Sequence, residues 1–253
     1  LNRSQSYIDT VERSLDAFTD FTGAESVAEI GVPSIERFLG SLAEDKLAPL
    51  TVNKYRAHLS SWLDWATRRG QIDANPTERV QPAKVETTYK DFPSPEEMRN
   101  LVDASSEYDA SIWTLLALSG LRRGSFLSLE PSRIRENGLV VDTKRRQEWF
   151  LSYDDGCPLW GPELSEMARA VWQERPPTPD YMRFHFEEAR ESVNPNITIH
   201  SLRHAFCSWL VMMGEHLQDV AAWAHHSSAR TTEKWYAHLR PRGRSRLRNN
   251  RER

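Results

Sequence analysis

Residues 200–212 read HSLRHAFCSWLVM, a polar head of His200, Ser201, Arg203 and His204 followed by an apolar run through Phe206, Trp209, Leu210, Val211 and Met212. The apolar run predicts a helix, and on a helix residues three and four apart share a face, so His200, Arg203 and His204 converge on one point. Arginine carries a permanent planar charge that meets two phosphate oxygens at once, and histidine gains or loses a proton near neutral pH. Such a cluster suits a phosphodiester. Taken alone, the five residues 200–204 fit a helix start with solvated polar side chains equally well.

Working outward, residues 119–124 read SGLRRG and place Arg122 and Arg123 just after an apolar helix expected over Ile112–Leu118, between glycines that permit close backbone approach. Downstream, residues 225–238 read HHSSARTTEKWYAH, a histidine pair followed by Tyr236. Taken singly, the first is a weak loop signal, and a lone tyrosine is usually half-buried packing. Between these motifs, Leu139–Asp142 and Glu148–Ser152 read as short strands around a basic turn containing Lys144, the one lysine between Lys90 and Lys234.

The N-terminal part is helical by pattern. Tyr7, Ile8, Val11, Leu15, Phe18 and Phe21 form an amphipathic stripe that ends at Gly23. Pro33 opens a second helix with Ile35, Phe38, Leu39 and Leu42 on its apolar side. Thr51 is the expected N-cap of a third helix, which runs to Gly70. Residues 81–95 mix prolines and charges without an apolar period and read as a linker, after which Ser94 and Glu97 form a capping box on a helix beginning at Pro95. The remainder is helical apart from a Pro-rich loop at Pro176, Pro177 and Pro179. The expected fold is mainly α, with a helical bundle over 1–82 and a mainly helical domain with a small antiparallel sheet over 83–253.

Composition narrows the class. With 39% hydrophobic residues and 27% charged, the chain has ordinary globular character and no apolar run long enough to span a bilayer. Cys157 and Cys207, far apart in sequence, argue against a disulfide framework or a cysteine zinc site and fit a reducing cytoplasm. The formal net charge of −3 argues against coating nucleic acid by bulk charge. Charge is unevenly spread, however: from Arg240 onward seven arginines face only Glu252, which suits either a polyanion partner or a solubilising tail.

The three motifs in this order and at these separations resemble the tyrosine recombinase and integrase family, and TVNKYRAHLSSWLDWATRRGQIDANP over residues 51–76 is similar to the last helices of that family's core DNA-binding domain, a SAM-like bundle. The resemblance implies that Tyr236 is the nucleophile and Arg122 and Arg203 the catalytic arginines. His200 matches the histidine before the second arginine, His226 the histidine of the third box, and Lys144 the lysine that protonates the leaving oxygen. It further implies cleavage and rejoining of DNA through a 3′-phosphotyrosine, with neither metal nor cofactor. The implied partners are double-stranded DNA with inverted half-sites and further copies of the chain as dimer and tetramer; the implied setting is the cytoplasm, on the nucleoid. Ser125 stands where many relatives carry a glutamate that braces the arginines, and Ala224-His225 replace the usual leucine and glycine, so either His225 or His226 could face the phosphate; Ser-Ser after His226 favours the latter. Supporting roles are expected for His204 and His238. A type IB topoisomerase and a catalytically impaired DNA-binding relative are the alternatives.

Overall fold

The computed structural model describes residues 5–86, 91–143, 147–226 and 228–240, and the chain divides into two compact units, residues 1–88 and 89–253. In the first unit, α1 (Gln5–Thr22), α2 (Val32–Glu44) and α3 (Pro49–Arg68) pack around Phe18, Ile35, Phe38, Leu59 and Leu63. Each such side chain contributes about 1.5–3 kcal/mol by leaving water. Phe18 and Phe38 meet edge to face with centroids 5.2 Å apart. Of the stripe expected on α1, Phe18 is the buried anchor, whereas Tyr7, Ile8 and Phe21 stay exposed. Pro49, not Thr51, opens α3: a first-turn residue needs no amide donor, so Thr51 falls inside the first turn.

The chain after α3 is held back onto that helix by side chains. Asn53 gives and receives one hydrogen bond with the backbone of Ala83, both 2.8 Å, and Arg56 donates to the carbonyls of Val80 and Thr77. The backbone N–H and C=O groups of Val80 and Ala83 are therefore paired within the first unit.

The second unit begins with α4 (Pro95–Asp103), whose Ser94–Glu97 capping box forms as expected. Next come α5 (Glu107–Ser119) and the single turn α6 (Arg123–Phe126), then strands β1 (Ile134–Arg135), β2 (Gly138–Asp142) and β3 (Glu148–Ser152). Helices α7 (Pro162–Glu174), α8 (Pro179–Glu191), α9 (Ile199–Met213), α10 (Leu217–Trp223) and α11 (Ala229–Tyr236) complete it. Mainly helical structure with a small antiparallel sheet is the class expected. The sheet has a third strand, β1, too short to show period-two alternation, and β2 pairs with β3 so that Val141 lies opposite Trp149. Pro179 begins α8 behind the Thr178 cap and does not belong to a loop. Helix α5 starts well before Ile112, because Ser106 caps the amide of Asp109. It is apolar nearly all round and packs against both α7 and α9, as a central helix should. Among the described residues no helix is long and apolar enough to cross a membrane.

Candidate active site

Helix α9 presents the polar head identified from sequence. Thr198 and Ser201 form its capping box, so the first turn is fixed at His200. His200 is exposed, Arg203 is 4% exposed and His204 is buried behind them, with the two imidazoles edge to face at 4.7 Å. The Arg203 guanidinium donates to the carbonyl of Gly120 at the end of α5 and to that of Ala224 at the end of α10. Arg122 sends both terminal nitrogens to the next carbonyl, His225, at 3.4 and 3.5 Å. Two consecutive carbonyls thus seat the two arginines side by side. Burial, and after it the neighbouring Arg122 charge, lower the Arg203 guanidinium to about 10; burial also lowers Arg122. Each guanidinium carries five N–H groups, so donors beyond those on the carbonyls are available to an anion.

Among the described residues neither arginine pairs with a carboxylate. Ser125 is buried in α6, and backbone carbonyls take the bracing role a glutamate would otherwise fill. Gly120 is required for this arrangement. Its φ of +66° lies in the left-handed region, and a Cβ there would stand 2.4 Å from the Phe206 ring.

The α10–α11 turn supplies the third motif. His226 Nδ1 lies 2.7 Å from the hydroxyl of Thr232, which is fully buried on α11. Burial first, then the charges of Arg203 and Arg122, push His226 down to about 3, so it works as a neutral imidazole. An unfolded histidine titrates near ~6.5, so between that pH and about 3 the unfolded chain binds the extra proton and folding weakens as pH falls. His226→Gln should flatten this acid limb: the loss of thermal midpoint from pH 7 to pH 4 will be smaller in the variant than in the wild type.

Tyr236, the last residue of α11, is 4% exposed, and its hydroxyl is hydrogen-bonded to His204 Nδ1 and to the Cys207 thiol. Burial raises its pKa well above the ordinary tyrosine value. A small cavity of about 30 Å³ beside it is lined by Phe92, Ser208, Trp235 and Leu239 among others. Arg122, His200, Arg203, His226 and Tyr236 therefore lie in one neighbourhood, whereas Lys144 lies outside the described residues. Sequence reasoning does not single out His204 and Cys207 as the partners of the Tyr236 hydroxyl; their three-residue spacing, which puts them on one face of α9, is the one signal it offers. Thr232 and the carbonyls of Gly120, Ala224 and His225 likewise carry no sequence signal of their own.

The fold matches that of solved integrase structures. Residues 173–242 match the model of the phage integrase family. A tyrosine recombinase of Thermosipho africanus (strain TCF52B) is 21% identical over 256 residues, covering 90% of this chain and 87% of the relative. Among solved structures, a lambda integrase(75–356) dimer bound to a COC′ core site superposes with a TM-score of 0.77 at 16% identity, covering 91% of each chain. A lambda integrase tetramer bound to a Holliday junction gives 0.77 at 16% identity, covering 96% of this chain and 74% of that one. These similarities support a place for the chain in the tyrosine recombinase family.

Proposed function

We propose that this protein is a site-specific recombinase or integrase that cleaves and rejoins duplex DNA through a 3′-phosphotyrosine on Tyr236. The observation carrying this reading is the seating of Arg122 and Arg203 on consecutive carbonyls, with neutral His226 beside them and Tyr236 on the neighbouring helix. In this reading the guanidiniums neutralise charge building on the non-bridging oxygens of the pentacoordinate phosphorus. His226 donates a hydrogen bond to the same oxygens, and Lys144 protonates the departing 5′-oxygen. The Tyr236–phosphorus bond forms as the phosphorus–5′-oxygen bond breaks, which conserves bond energy for rejoining.

His200, to which the family resemblance would give a part in proton transfer at the tyrosine, stands one helical turn from His204, the imidazole in contact with the hydroxyl. Tyr236 is buried and its hydroxyl is hydrogen-bonded to His204, so attack on a phosphate requires residues 228–240 to turn Tyr236 out of its cover. Residues 1–88 act as the core DNA-binding domain and 89–253 as the catalytic domain. Inverted half-sites bring two copies together, and two such pairs form the tetramer, as the DNA-bound dimer and tetramer of lambda integrase suggest.

The test is covalent trapping. The protein is incubated, with EDTA present, with a pool of nicked duplexes of randomised core sequence, and products are resolved under denaturing conditions. A protein–DNA band of retarded mobility is expected. Supercoil relaxation with no joining between duplexes would instead favour the type IB topoisomerase, and site binding with no covalent band the impaired relative.

A further inference from the structure

His225 occupies a position where the family resemblance leads one to expect glycine, and its φ of +47° is in the left-handed region that glycine enters without cost. A non-glycine residue there is strained, and such strain persists only where the surroundings determine it. Here the surroundings are visible. The imidazole lies flat on the Trp149 indole of β3, with centroids 4.9 Å apart and planes 18° apart. Trp149 meets Trp160 edge-on at 6.3 Å, and Trp160 stacks on Phe206 of α9 at 6.2 Å. Phe206 in turn fills the space over Gly120, whose carbonyl receives Arg203.

The contacts close a circuit. From Arg122 it passes through the His225 carbonyl, the His225 ring, Trp149, Trp160, Phe206 and Gly120 to Arg203, whose other nitrogen returns to the Ala224 carbonyl next to His225. Burial and then the charges of Arg122 and Arg203 lower the His225 pKa, which disfavours a third cation beside them.

We propose that His225 is a positioning residue: its ring, stacked on Trp149, fixes the Ala224 and His225 carbonyls and so aligns the two arginines for one phosphate. This rests on the recombinase reading for its effect on catalysis, though not for the stack itself. The proposal explains why a strained histidine stands in place of glycine: glycine would relieve the backbone but release the turn from the sheet.

The test compares wild type, His225→Gly, His225→Phe, Trp149→Leu and the Gly/Leu double variant, in single-turnover cleavage of the nicked duplex pool and in thermal unfolding. His225→Gly should lower the rate at saturating DNA about 10- to 100-fold, as expected when a reacting group is misaligned, with half-saturating DNA concentration changed less than about 2-fold. His225→Phe, which keeps a flat ring, should recover most of the rate. Trp149→Leu should resemble His225→Gly, and the double variant should be no slower than the slower single one, because both break the same contact. Equal rates for wild type and His225→Gly, a failure of phenylalanine to rescue, or additive losses would each overturn the proposal. If the wild type forms no covalent band at all, the recombinase reading fails; the unfolding cycle then decides the stack alone, with additive midpoint shifts counting against it.

Discussion

Tyr236→Phe is expected to leave DNA bound and uncut. The phenyl ring still fills its place among Trp235, Leu239 and Phe92, so the fold survives. The cost is the hydroxyl's hydrogen bonds to His204 and Cys207, worth about 0.5–1.5 kcal/mol each. Without the oxygen there is no atom to join to phosphorus, and the covalent band should fall by on the order of 10⁴-fold or more, as for other lost nucleophiles. Affinity, measured by gel shift over a salt series, should be within a few-fold of wild type, because it comes from contacts to many phosphates. A variant that still forms the band removes Tyr236 from the reaction.

Arg203→Ala is expected to damage both stability and chemistry, which separates it from Tyr236→Phe. The guanidinium is buried and binds two carbonyls from distant parts of the chain, Gly120 and Ala224. Alanine leaves both acceptors unsatisfied, at roughly 1–3 kcal/mol each, and opens the turn that seats Arg122. Urea unfolding should show the midpoint moving down, and covalent trapping should fall by at least about 10²- to 10³-fold, the usual cost of one transition-state donor. Arg203→Lys should recover little, since a point charge on a flexible stem cannot span two carbonyls as a planar fork does. Full stability with lost cleavage would show that the carbonyl contacts contribute nothing to the fold.

Much of this architecture was legible because it follows from local pattern. The apolar run after Arg203 and the Ser94–Glu97 box each specify a helix through near-neighbour contacts. The residues placed together at the site were also legible, through the order and spacing of three motifs. Less visible was everything that depends on distant backbone. Asn53 looks like any polar helix residue until it pairs with Ala83, thirty positions on. Ser125 looked like a missing brace, and the structure supplies carbonyls no side-chain pattern announces. His204 was expected only to support, because sequence gives the face of a helix but not which residue of α11 will cover it. Strand β1 has two residues, too few for periodicity.

The central claim is a phosphorus–oxygen bond to one phenol, and mass spectrometry of the trapped complex tests it most directly. After nuclease digestion and trypsin, which cuts after Lys234 and Arg242 but not before Pro241, the nucleotide should sit on Tyr236 in the peptide spanning residues 235–242, joined through a 3′-phosphate. The released strand should carry a free 5′-hydroxyl. A nucleotide on any other residue, or a linkage through a 5′-phosphate, would contradict the account.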